Sequence, residues 1–323
     1  QGDEISTPIY GPAPQARSLA FSPDGQFLTL ANSDNHIRIF RVDDGKLIKT
    51  LEGHSGLIRS LLVHPDGRTM FSAAFDGSLR AWRFPLGPQI STISHTNDEI
   101  FECCLTLDGK TLLSTGSDRL ISIWNWPEGK LVRTLSGHTA TILALSTATD
   151  SQWVASASRD QTIRIWNFSS GIQLQSISTG DHKITALAFH PGEQYLFAAT
   201  YSGSILVFNT STGNLILQLV QHKKPVVALA ITPDGNSLIS GSTDGKIIIF
   251  NLLPFLLARQ PLETKGRDQM ATIERLLLDP NLPHESHAWL NLRLELMRWK
   301  NRYDIEISES KHIQLNDFDI ELD

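Results

Sequence analysis

The stretch Gly137–Trp166, GHTATILALSTATDSQWVASASRDQTIRIW, decides the fold. It opens on Gly-His, turns at Asp150, reaches a second turn at Asp160 and ends on Trp166. Its last segment, Ile163-Arg164-Ile165-Trp166, alternates apolar and polar with β-branched residues on one face, the signature of a short half-buried strand.

The same pattern recurs every 42 residues. The acidic turn position falls at Asp34, Asp76, Asp118, Asp160, Ser202 and Asp244, and an aromatic follows six residues later at Phe40, Trp82, Trp124, Trp166, Phe208 and Phe250. Ten residues before each lies another turn, at Asp24, Asp66, Asp108, Asp150, Gly192 and Asp234. Fifteen before lies an apolar position, at Leu19, Leu61, Cys103, Leu145, Leu187 and Leu229. Registers locked together over six copies identify a repeat protein. Each copy predicts four short antiparallel strands, one blade of a β-propeller, whose blades bury their faces on one another.

The pairs Gly53-His54 and Gly137-His138, the Asp turn and the Trp after it resemble the WD40 (WD-repeat) family, with Trp124-Asn125 and Trp166-Asn167 in place of the usual Trp-Asp ending. Strings such as Ser22-Pro23-Asp24-Gly25 and Thr232-Pro233-Asp234-Gly235 are most similar to bacterial members. The resemblance spans roughly residues 11–258 and implies an all-β propeller used as an interaction scaffold.

Three copies carry a Ser-His-Asp set that invites a hydrolase reading: His54, Ser72, Asp76 with Trp82; His95, Ser114, Asp118 with Trp124; His138, Ser156, Asp160 with Trp166. The resemblance implies instead a structural hydrogen-bonded chain from Trp through Ser and His to Asp. Physical chemistry agrees, because buried polar groups must be paired and an enzyme needs one such site, not three. The sixth copy keeps His222, Ser240 and Asp244 but ends in Phe250, which has no N–H. The fifth keeps only His182, and the first has no matching His beside Asp34. The second to fourth blades are therefore expected to be the stiffest.

Beyond six clear blades, two leftover pieces alternate like strands: Glu4–Tyr10, and a tail with Tyr303–Ile307, His312–Leu315 and Phe318–Leu322. They predict either an atypical seventh blade joining the two ends or a tail packed outside a six-bladed ring. Between them, stripes at Met270, Ile273, Leu276 and Leu277 and at Trp289, Leu292, Leu296 and Trp299 predict a helical hairpin, packed on the propeller or serving as a second docking surface. The expected division is a propeller over 1–262, a helical insert over 263–302 and an acidic tail over 303–323.

By the resemblance, partners are gripped by residues before the repeated Asp and at the start of the innermost strands. Among these, Arg17, Arg59, Phe75, Phe101, Arg159, Lys183 and Tyr201 are the expected partner contacts, since arginines and aromatics dominate interface energetics. Their basic members suit an acidic protein or peptide. The net charge is −6, and the tail from Asp304 holds seven acidic residues against Lys311 alone, so the body is neutral. Nothing there attracts nucleic acid or an anionic membrane. No apolar run approaches the roughly 18 residues of a membrane-spanning helix.

Adjacent Cys103 and Cys104 form no disulfide framework, which predicts a reducing, cytoplasmic setting. Gly109-Lys110-Thr111 lacks the earlier glycine of a phosphate loop, and His284-Glu285-Ser286-His287 shows no third metal ligand. Asn167-Phe168-Ser169 and Asn209-Thr210-Ser211 match the glycosylation pattern by coincidence. The expectation is a scaffold without catalytic residues, cofactor or metal, standing alone or as the regulatory or sensor module of a larger enzyme.

Overall fold

A computed structural model describes residues 16–94, 98–149 and 152–252, and beyond them 256, 273 and 275–278. The chain divides into two compact units, Gln1–Gly235 with Ile239–Ile249, and Asn236–Leu238 with Phe250–Asp323.

The fold is an all-β, six-blade propeller built from antiparallel sheets. The first sheet is β1 (Ala16–Phe21), β2 (Phe27–Asn32), β3 (Ile37–Arg41) and β4 (Leu47–Leu51). The second is β5 (Ile58–Val63), β6 (Thr69–Ala74), β7 (Ser78–Arg83) and β8 (Gln89–Ser94). The third is β9 (Ile100–Leu105), β10 (Thr111–Gly116), β11 (Ile121–Asn125) and β12 (Lys130–Leu135). The fourth is β13 (Ile142–Thr147), β14 (Trp153–Ser158), β15 (Thr162–Asn167) and β16 (Ile172–Ser178). The fifth is β17 (Ile184–Phe189), β18 (Tyr195–Thr200), β19 (Ser204–Asn209) and β20 (Leu215–Val220). The sixth is β21 (Val226–Ile231), β22 (Ser237–Ser242) and β23 (Ile247–Asn251). Within each sheet, neighbours in sequence pair, so each connection inside a sheet is a short turn.

The core lies between consecutive sheets. Ile37, Ile39, Ile58, Met70 and Trp82 fill the space between the first and second sheets; Phe71, Leu79, Ile100, Leu112 and Trp124 fill the next; Leu113, Ile121, Ile142, Val154 and Trp166 the one after. Second strands are thus covered on both faces, and every residue of β6 and of β18 is buried. This explains why they read as apolar runs and not as alternations. Each fully buried aliphatic contributes about 1.5–3 kcal/mol, so an inter-sheet layer offsets much of the entropy of ordering its strands.

The first strands of successive sheets pack side by side from β1 to β21. At the start of the first five of these, the pairing with the second strand skips one residue: Arg17, Arg59, Phe101, Leu143 and Thr185 stand in those bulges. A second register shift falls at the repeated aromatic, between Ala81 and Trp82 and between Ile165 and Trp166.

Each copy predicts four strands, and the sixth copy's fourth would fall near residues 254–259; of these Leu256 alone is described, and it is helical, its N–H donating to the Leu252 carbonyl at 2.9 Å. In the helical insert, residues 273 and 275–277 are helical and Ile273 is fully buried. The rest of that insert and the pieces expected to close a seventh blade lie outside the described residues. Among the described residues no helix is long and apolar enough to cross a membrane.

Candidate functional site: one face of the sheets

The repeated polar set forms chains, not nucleophiles. In the second sheet the Trp82 indole donates to Ser72 Oγ at 2.8 Å, Ser72 Oγ lies 2.7 Å from His54 Nε2, and His54 Nδ1 lies 2.9 Å from Asp76 Oδ2. The fourth sheet repeats this through Trp166, Ser156, His138 and Asp160 at 2.9, 2.7 and 2.7 Å. The serine accepts the indole proton and gives its own to Nε2, which leaves the Nδ1 proton for the carboxylate and the imidazole neutral. Ser72 and Ser156 have no solvent exposure, so no substrate reaches them.

In the third sheet Trp124 donates to Ser114 at 2.9 Å, while His95 lies outside the described residues. In the sixth, His222 reaches Ser240 at 2.8 Å and Asp244 at 3.1 Å.

In each of these two chains one hydroxyl residue that the sequence pattern did not single out completes the set. Ser78 and Thr162, two positions after the aspartate, donate to Asp76 and Asp160 at 2.6 and 2.7 Å. Backbone N–H groups of Ser55 and Thr139 add bonds at 2.9 and 3.0 Å. Burial works to raise both carboxyls, but these bonds win: Asp76 is held well below the ordinary carboxylate range and Asp160 at about 2. Gly precedes the His because Gly53 and Gly137 have φ of 152° and 156°, a backbone that other residues rarely adopt, and a Cβ there would also crowd Trp82 or Trp166.

Sheets lacking the full set replace it. In the first, Arg38 pairs with Asp34 at 2.6 Å, and this bond holds Asp34 at about 2. In the fifth, hydroxyls of Ser202 and Ser204 each lie 2.9 Å from Thr200 Oγ1, a neutral cluster where the other sheets place a carboxylate. His182 stands two residues past the register, and its carbonyl accepts the Thr179 hydroxyl at 3.0 Å.

The same turns and loops share a backbone frame. The residue before each aspartate position is tied by its backbone N–H to the loop entering the first strand: Phe75 to Leu57, Arg159 to Thr141 and Tyr201 to Lys183, at 2.9, 2.9 and 2.8 Å. The turn residue, the loop residue and the bulged residue two positions later therefore cluster on one side of each of the second to fifth sheets. A bulge re-aims its side chain out of the strand's alternation, which is why bulges gather at binding sites.

Of the expected contacts, Arg17, Arg159 and Lys183 are exposed and Tyr201 is 63% exposed. Arg59 and Phe75 are half-buried, and Phe101 is buried, its ring 4.8 Å from that of Phe75. Phe101 therefore supports the face from beneath. The face is not uniformly basic, because exposed Glu99 occupies the third-sheet position that Lys183 fills in the fifth.

Among the described residues no three His, Cys, Asp or Glu side chains converge as a metal site would require, and the pair His284 and His287 lies outside them. Asn167 and Asn209 use their side-chain oxygens to accept turn N–H groups, from Ser170 at 2.9 Å and from Ser211 at 3.0 Å.

A family model described as WD domain, G-beta repeat matches residues 45–83, 87–125, 129–167, 172–209 and 213–251. Each match joins the outer strand of one sheet to the first three strands of the next. A second model, described as the WD40 domain of anaphase-promoting complex subunit 4, matches residues 10–62. No curated protein matches the chain.

Proposed function

The chain belongs to the WD domain, G-beta repeat family, whose propellers typically serve as protein-interaction scaffolds, and from that premise we propose that it recruits a protein or peptide partner on the face carrying the bulged residues. The observation that carries this reading is the repeated placement of turn, loop and bulge side chains on a backbone frame tied sheet by sheet. Such a frame presents its side chains without an ordering cost at the moment of binding. Arg17, Arg59, Phe75, Arg159, Lys183 and Tyr201 supply the contacts. Four of them are cations, which suits an acidic partner.

The role is non-catalytic. The serine and histidine pairs that resemble hydrolase machinery are buried and saturated by tryptophan and aspartate. Burial pushes the thiols of Cys103 and Cys104 up, which leaves them unreactive and fits a reducing, cytoplasmic setting.

The test is affinity purification with quantitative mass spectrometry on the full chain and on an Arg59→Ala/Arg159→Ala variant whose fold is verified by circular dichroism. Partners retained by the wild-type chain should be lost from the variant. An unchanged set of partners would refute the assignment of this face.

A further inference from the structure

One point of this face, where the second and third sheets meet, carries a more specific reading that rests on the partner function above. Arg59, the bulged residue of β5, has its guanidinium carbon 5.9 Å from the ring centroids of both Phe75 and Phe101. Its Nε is buried and meets no acceptor. Burial pushes the Arg59 pKa down, Glu102 pulls it back, and the Arg17 guanidinium adds to the fall. A guanidinium nonetheless stays charged. The site therefore sets a cation beside two adjoining aromatic rings, with one N–H donor unspent.

Glu102 follows Phe101 on β9. Its carboxylate accepts the Ser60 hydroxyl at 2.5 Å, and Ser60 is the residue after Arg59. Glu102 is half-buried in the packed region where β9 meets β5. That enclosure pushes its pKa up to about 7, against the Ser60 bond, the Arg59 charge and the Cys103 N–H, all of which lower it. The charged and titratable groups around it are few. β5 brings Arg59, β1 beyond it brings Arg17, and β9 itself brings Cys103 and Cys104, both held protonated. The strands β6, β10 and β13, which also pack on β9, contain no titratable residue.

We propose that Arg59 seats a carboxylate of the partner, an aspartate or glutamate side chain, and that Glu102 competes for the same cation, so that capture strengthens when Glu102 takes up a proton. Ionised Glu102 offsets part of the Arg59 charge and repels an incoming carboxylate. Protonated, it still pairs with Ser60 but leaves the guanidinium charge to the partner. By linkage, a bound carboxylate raises the proton affinity of Glu102 by the same factor that protonation raises the affinity for the carboxylate.

The test titrates the full, isotope-labelled chain with a capped Gly-Glu-Gly tripeptide and its Gly-Gln-Gly counterpart. The Arg59 Nε–Hε resonance and the peptide carboxyl carbon are followed by NMR at about pH 6 and about pH 8, where the peptide glutamate stays ionised. The Glu peptide should produce a saturable shift that weakens about tenfold at the higher pH, and the Gln peptide should produce none. Glu102→Gln, which retains the Ser60 partner, should bind with the low-pH affinity at both values. Arg59→Lys should lose most of the peptide-side shift while its amide spectrum stays dispersed.

Equal affinity at the two pH values, or Glu102→Gln keeping the wild-type pH dependence, would overturn the competition. Equal binding of the two peptides would overturn the carboxylate seat. Either result leaves the wider face standing if the Arg59→Ala/Arg159→Ala variant still loses its partners. The face itself fails only when that variant retains them.

Discussion

His190 in the fifth sheet lies with Nε2 3.1 Å from the carbonyl oxygen of Gly235, a turn residue between β21 and β22. The Gly192 N–H donates to Nδ1 of the same ring at 3.0 Å, so Nε2 carries the proton and the imidazole is neutral. His64 repeats the inter-sheet bond, Nε2 to the Gly109 carbonyl at 3.0 Å, between the second and third sheets. At the equivalent positions Ser22 and Thr106 turn inward to Asp24 and Asp108 instead. Two of the sheet boundaries are thus clamped by histidine.

The first prediction concerns pH. Burial holds the His190 pKa below its ordinary value, although the Gly235 carbonyl pulls it up. The unfolded chain binds the proton near pH 6.5, so the clamp contributes fully above that value. Its contribution is lost as the pH falls from about 6.5 toward the lower folded pKa. His138, also lowered by burial against the pull of Asp160, acts in the same direction and is common to both proteins compared. The urea midpoint should therefore drop less between about pH 7.5 and about pH 5.5 in His190→Asn, whose amide can both donate and accept, than in the wild-type chain. Equal drops would remove His190 from the account.

The clamp also predicts unequal tolerance at two glycines of like backbone. Gly25 and Gly235 have φ of 70° and 73°, yet a Cβ meets nothing within 4 Å at Gly25 and falls 2.6 Å from His190 Nε2 at Gly235. Gly25→Ala should cost about 1 kcal/mol from backbone strain alone. Gly235→Ala should cost a further 1–2 kcal/mol or so, from overpacking and the displaced hydrogen bond. Chemical denaturation of the two variants measures the difference, and equal losses would mean that the imidazole moves aside freely.

Much of this was legible in the residues. The 42-residue period placed the turns and the strands. It also placed the His, Ser, Asp and Trp positions, because local patterns set them and the sheets repeat them. The clamp of His190 on Gly235 was not legible, because it joins residues 45 apart whose approach depends on how one sheet packs against the next. Nor were the bulges at Arg17 and Arg59, since an extra residue in a pairing leaves no mark on the alternation of either strand. Phe101 illustrates the consequence. Its position suggested a partner contact, but its ring packs against Phe75 and is buried.

Arg38 was likewise unremarked, and it carries the third prediction. The first sheet lacks a histidine in the register of His54, and the Arg38 guanidinium brackets Asp34 instead, at 3.1 and 2.6 Å, with His36 also 3.3 Å from the carboxylate. Arg38→Met should let the Asp34 carboxyl rise from about 2 toward the ordinary range near 4. Any stability the pair supplies is present above about pH 4 and lost as the pH falls through the folded value. NMR titration of the Asp34 side-chain carbon reads the shift directly. A carboxyl that stays low in the variant would assign its depression to the His36 contacts instead.

The polar chains should also make the sheets unequal in stiffness, and the fourth prediction ranks them. Ser156→Ala strands two buried partners at once, the Trp166 indole N–H and His138 Nε2, each costing about 1–3 kcal/mol when left unmade. Ser240→Ala strands His222 Nε2 alone, because the sixth sheet has Phe250 where others have tryptophan, so it should cost roughly half as much. The fifth sheet has no such chain to lose: Ala198 and Phe208 occupy the serine and tryptophan positions, and both are buried. Packing and the small Thr200 hydroxyl cluster hold β18, whereas β14 is held by packing and by a chain that joins two strands, a loop and a turn. Amide exchange should therefore be slower in β14 than in β18, and Ser156→Ala should erase the gap. Exchange slower in β18 of the unmodified chain would show that apolar packing outweighs the polar chains in setting local rigidity.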